Sequence, residues 1–121
     1  MHSVLLYSLI IVIIVLIILC IVYQVLRPIV VCGDSMFPTL KENDIFFAVR
    51  VTKHTEFRVG EIYIYRPPYS NGRKHYVIKR LTRIEPYSKK LYFEGDNKDV
   101  SFDSRAYGYI SREDVKFRVL V

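Results

Sequence analysis

The 121-residue chain carries a formal charge of +6, with 18 Lys and Arg against 12 Asp and Glu. That length has room for one small domain and one membrane segment, and nothing in it suggests two globular units. Residues 1–26 contain no Lys, Arg, Asp or Glu, so a basic portion adjoins an oily one, which points to lipid headgroups rather than to nucleic acid.

The first element runs from Val4 to Leu26 as VLLYSLIIVIIVLIILCIVYQVL. As a helix it is about 35 Å long, enough to cross the hydrocarbon core with some tilt. A cleaved signal peptide needs a basic leader and a small-x-small exit, whereas this run leaves through Tyr23-Gln24-Val25-Leu26-Arg27-Pro28. The expectation is a retained anchor over residues 1–27, with Tyr7 and Tyr23 near the two interfaces and Pro28 as the stop. Arg27 is the only charge close to the run, and a literal positive-inside count puts the rest of the chain in the cytoplasm. Cys20 lies within the apolar run and Cys32 just beyond it, poorly placed to bond each other.

Next comes Gly33-Asp34-Ser35-Met36-Phe37-Pro38-Thr39-Leu40, where a serine among turn-forming residues reads, taken alone, as a loop position. Short β-rich runs then follow between Gly, Pro, Asn and Asp, predicting a mainly β domain over residues 28–121. The strands fall at Asp44–Val51, Glu61–Arg66, His75–Ile84, Leu91–Gly95 and Val115–Val121. Turns fall at Pro67–Gly72 and Glu85–Ser88. Phe46, Phe47, Tyr63, Tyr65 and Tyr69 are more aromatic surface than so small a core readily hides; either half point inward and the rest are ordinary surface, or they form a membrane-dipping edge.

In the third strand, period-two alternation puts His75, Val77 and Lys79 on one face and Tyr76, Ile78 and Arg80 on the other. A lysine serving as a base near neutral pH must lose about three pKa units, worth ~4 kcal/mol, through desolvation. Taken alone, Lys79 reads rather as a snorkelling edge-strand side chain. The segment Gly95–Gly108 is dense in short polar residues. It lacks the bidentate Glu of a calcium loop, the twelfth position being Ala106 or Tyr107, which leaves a buried polar brace as the better account.

In this order the segments resemble the boxes of the type I signal peptidases (S26 family). Ser35-Met36-x-Pro38-Thr39-Leu40 is similar to the nucleophile box, Val77-Ile78-Lys79-Arg80 to the general-base box, and Gly95-Asp96-Asn97 through Ser101, Asp103, Ser104 and Arg105 to the final box. Gly60-Glu61-Ile62-Tyr63-Ile64-Tyr65-Arg66-Pro67 resembles a further strand of the family. Each box is a weak signal; the ordered set is strong.

The resemblance implies a membrane-bound serine endopeptidase that removes signal or leader peptides after small residues, with Ser35 as nucleophile and Lys79 as general base. It implies neither metal nor organic cofactor. The backbone N–H of Ser35 becomes the first oxyanion donor, and Gly33 stands where some relatives carry a serine hydroxyl, leaving the second donor open. Ser101 matches a position that orients the lysine. Arg80, Asp96, Asn97, Asp103 and Arg105 match a structural brace, and Met36 and Pro38 a substrate pocket.

The implied partners are leader-bearing proteins and the bilayer, not nucleic acid, with partner subunits left open. The family's topology puts the catalytic domain on the extracytoplasmic face, against the one-arginine count. Only fourteen residues separate Arg80 from Gly95, so the second β-domain of many bacterial members is missing and the chain resembles the minimal members. Lys79 stands where the endoplasmic-reticulum branch has His. Two other classes remain: a non-catalytic membrane-anchored accessory or binding module of the same fold, and a self-cleaving repressor-type regulator. The second predicts a cleavable linker and a DNA-binding head, where this chain has an apolar helix.

Overall fold

An unbroken apolar run with no charge and no breaker has one way to satisfy its backbone outside water, and His2–Val25 forms helix α1, 24 residues long. The computed structural model describes residues 1–71 and 75–121. None of α1 is buried against the rest of the chain, and it is long and apolar enough to cross a membrane.

The helix ends at Val25, and its last turn is finished by arginines from outside it. Arg27 Nε donates to the Tyr23 carbonyl at 2.7 Å, and Arg50 Nε to the Gln24 carbonyl at 2.8 Å. Cations on the exposed carbonyls of a helix C-terminus are favourable.

The chain passes directly into strand β1, Leu26–Val30, whose first two residues fall within the expected anchor. Its apolar residues continue the anchor's composition, and Pro28 argues against a strand. Pro28 is tolerated because β1 is an edge strand, hydrogen-bonded only to β2.

The other strands are β2 (Ile45–Arg50), β3 (Ile62–Tyr65), β4 (Val77–Ile84), β5 (Leu91–Glu94) and β6 (Val115–Leu120), each within the run expected for it. All six form one antiparallel sheet in the order β1-β2-β6-β3-β4-β5. The fold is mainly β with one candidate membrane helix.

Period-two alternation divides the core between the two faces of the sheet. Tyr63 and Tyr65 of β3 pack with Leu81, Leu91, Phe93 and Ile110, while Ile62 and Ile64 pack with Val31, Met36, Leu40 and Ala48. All four β3 residues are therefore buried. The aromatic residues divide between core and surface: Tyr63 and Tyr65 are inside, whereas Phe47 and Tyr69 are 52% and 43% exposed. The turn at Glu85–Ser88 forms, with the Glu85 carboxylate accepting from the Tyr87 and Ser88 amides. In the Pro67–Gly72 turn, Pro68–Ser70 is a 3-10 turn and Gly72 lies outside the described residues. The polar segment after β5 contains the one-turn helix α2, Ser104–Tyr107, where no helix had been expected. Four residues are too few to carry a periodicity signal.

Candidate active site

Strand β4 enters the interior with Lys79 paired to Tyr63 of β3 and with Leu81, two residues on, fully buried. Because alternate residues share a face, Lys79 is carried inward and is only 5% exposed. Burial pulls its amine below the ordinary lysine range, opposed by the nearby negative charge of Asp103. The amine nitrogen lies 2.7 Å from Ser35 Oγ, across 44 residues of sequence.

Ser35 belongs to the irregular segment between β1 and β2. Its backbone conformation is held from several sides. Gly33 has φ of +82°, a left-handed conformation that suits glycine, and the Phe37 amide donates to the Asp34 carbonyl at 3.1 Å. Asn97 clamps the segment from opposite it. Its backbone amide donates to the Ser35 carbonyl at 2.9 Å and its side-chain amide to the Asp34 carbonyl at 3.1 Å. The Ser35 N–H donates to no protein acceptor among the described residues.

The polar residues expected to form one brace form two. Arg80 grips Asp96 through two parallel bonds, Nε to Oδ1 at 2.8 Å and Nη2 to Oδ2 at 2.7 Å, and reaches the Gly60 carbonyl at 2.5 Å. Asp96 also accepts from Thr39 Oγ1 at 2.6 Å, tying this pair to the serine segment. Asp103 is the centre of the second. It caps α2 and accepts from Arg105 Nε at 2.9 Å, Ser101 Oγ at 2.6 Å and the Gly95 amide at 2.9 Å. Burial works most strongly against its ionisation, yet these donors together outweigh it and hold the carboxyl down at about 2.

Two expectations change. Ser101, expected to orient the lysine, spends its hydroxyl proton on Asp103, and no Lys79–Ser101 hydrogen bond forms among the described residues. The carboxylate is the stronger acceptor for that proton. Met36, expected at a substrate pocket, is 2% exposed and packs among Val31, Leu40 and Ala48, while Pro38 is exposed. Side-chain direction in an irregular segment has no period from which to be read.

Two box residues take roles that the sequence does not assign to them. Thr39 meets Asp96 across 57 residues, a pairing with no local signal. Gly95 is a spacer, because a Cβ there would stand 2.6 Å from the Ser35 carbonyl oxygen and run into the Ser101 side chain. Its membership of a Gly-Asp-Asn box was the available clue.

A buried amine beside a serine hydroxyl is the arrangement by which a lysine activates a serine nucleophile. Comparison with known families matches residues 4–86 to the signal peptidases of peptidase family S26. The chain belongs to that family. Family S26 is one of serine hydrolases, and its signal peptidases act at membranes. The match covers Ser35, Lys79 and α1 from Val4 onward but stops before Gly95, so Asp96 and Asp103 join this candidate site through geometry alone. No curated protein matches the chain.

Proposed function

We propose that the chain is a membrane-anchored serine endopeptidase that removes signal or leader peptides from translocated proteins, cutting after small residues with Ser35 as nucleophile and Lys79 as general base. The observation that carries this reading is the 2.7 Å approach of a buried amine to the Ser35 hydroxyl. In its neutral form the Lys79 amine accepts the Oγ proton as the oxygen attacks the scissile carbonyl. The ammonium then returns a proton to the leaving amine. Water hydrolyses the acyl-enzyme by the same route in reverse.

The unpartnered Ser35 N–H is suited to the developing oxyanion. In this reading Asp103, fixed by Arg105, Ser101 and Gly95, moderates the amine's pKa, while Arg80, Asp96 and Asn97 hold the nucleophile segment. Helix α1 serves as anchor and the chain from β1 onward as catalytic domain on the extracytoplasmic face, where a translocated substrate emerges.

Ser35→Ala and Lys79→Ala each remove one half of the dyad. Each is expected to lower cleavage of a leader-bearing substrate at least about a thousandfold, with the thermal transition of the detergent-solubilised protein retained. Near-normal turnover in either folded variant rejects the assignment and favours a non-catalytic module.

A further inference from the structure

Five cationic side chains gather where α1 meets the sheet. Arg27, Arg50, Lys53, Arg112 and Lys116 line a cavity of about 770 Å³ that contains one carboxylate, Glu113, and neither Ser35 nor Lys79. The volume lies within the roughly 300–1,000 Å³ of small-ligand sites. None of the five cations is ion-paired among the described residues, where the salt bridges involve Arg80, Lys98, Arg105 and Arg118 instead.

The arginines are held by neutral partners. Arg27 stacks over the Tyr23 ring at 4.5 Å, Arg50 lies 5.7 Å from the Phe117 ring, and Arg112 lies 4.6 Å from the Phe57 ring. Arg27 and Arg50 each spend only Nε, on the Tyr23 and Gln24 carbonyls, so their Nη donors have no protein acceptor among the described residues. Five cations against one carboxylate that pairs with none of them repel one another, and a bound anion relieves that repulsion. Guanidinium forks match phosphate oxygens in particular.

Position identifies the anion's source. The carbonyls gripped by Arg27 and Arg50 belong to the last turn of α1, so in a membrane-spanning helix these guanidiniums stand at headgroup level on whichever side the domain lies. We propose that this cavity binds the phosphate of an anionic phospholipid headgroup and fixes the domain against the membrane surface. This inference rests on the membrane-anchor part of the proposed function.

The test uses native mass spectrometry of the full chain released from mixed micelles of phosphatidylglycerol and phosphatidylcholine. The wild type is expected to retain one phosphatidylglycerol in clear preference to phosphatidylcholine. Arg27→Gln/Arg50→Gln and, separately, Lys53→Gln/Lys116→Gln should each weaken that retention about tenfold. Lys41→Gln/Lys90→Gln, at exposed lysines outside the cavity, should leave it unchanged.

Equal retention of the two lipids, or wild-type retention in both cavity variants, overturns the proposal. Displacement of the lipid by inorganic phosphate in millimolar excess overturns it in favour of a free-phosphate site. Alkaline carbonate extraction of native membranes separates the two levels of failure. A chain that stays in the membrane yet shows no headgroup preference removes the lipid site alone, whereas a chain released by carbonate removes the anchor as well.

Discussion

Lys79 carries opposing influences within one side chain. Burial favours the neutral amine, and Asp103 favours the ammonium. In the proposed mechanism only the neutral form takes the serine proton, so activity is expected to rise with pH as Lys79 deprotonates. Asp103→Asn removes the influence that raises this pKa, so the acidic limb of the kcat/KM profile is expected to move to lower pH. Loss of packing alone would lower the plateau and leave the limb where it was. Asp103 itself is linked to stability with the opposite sense. Its carboxyl falls from 3.8 to about 2 on folding, contributing about 2 kcal/mol that is fully present above pH 4 and disappears as pH falls through 2. Thermal unfolding across that window should show a smaller loss in Asp103→Asn than in the wild type, the remainder coming from carboxyls such as Asp96, whose pKa the structure also lowers. Gly95→Ala addresses position rather than charge, since its Cβ must displace the Ser35 carbonyl or the Ser101 side chain. A nucleophile displaced by about an ångström costs roughly a hundredfold in kcat, and this is the drop expected in a variant that remains folded.

At the scale of elements, β4 performs two tasks with alternate residues. Lys79 and Leu81 point inward while Arg80 braces Asp96. Leu81→Ala leaves a cavity beside Tyr63 and Phe93 and is expected to cost about 2–4 kcal/mol in thermal or denaturant unfolding. Its kcat, measured well below the shifted transition, should fall far less than in Gly95→Ala. The β4 alternation is legible in the sequence, because period two is a local property of a strand. Strand β1 is not, because an edge strand that contains proline and continues an apolar run carries no distinguishing pattern. The irregular segment around Ser35 is legible only as a resemblance, and there the inward turn of Met36 escapes it.

For the whole molecule, the proposed anchor and the proposed cleavage of translocated substrates together put the sheet on the extracytoplasmic side. Charge near the helix is weak guidance, since a folded domain of this length crosses largely regardless of it. Cys32 is exposed just past β1, and Cys20 lies within α1. A membrane-impermeant maleimide applied to intact cells is expected to label Cys32 and spare Cys20. Labelling of Cys32 only after lysis would put the sheet, and the proposed cleavage, on the cytoplasmic side.

Composition and periodicity were enough for the membrane-length helix, five of the six strands and the strand face that Lys79 shares with Val77, because each depends on neighbours within a few residues. The order of the boxes was enough to suggest Ser35 and Lys79 as partners. Folding in three dimensions was needed to bring that amine and hydroxyl to 2.7 Å, to divide the brace into Arg80–Asp96 and Arg105–Asp103, and to gather five cations at the helix exit. Those arrangements join residues tens of positions apart. They depend on sheet register and on the shape of irregular segments, which local sequence leaves free.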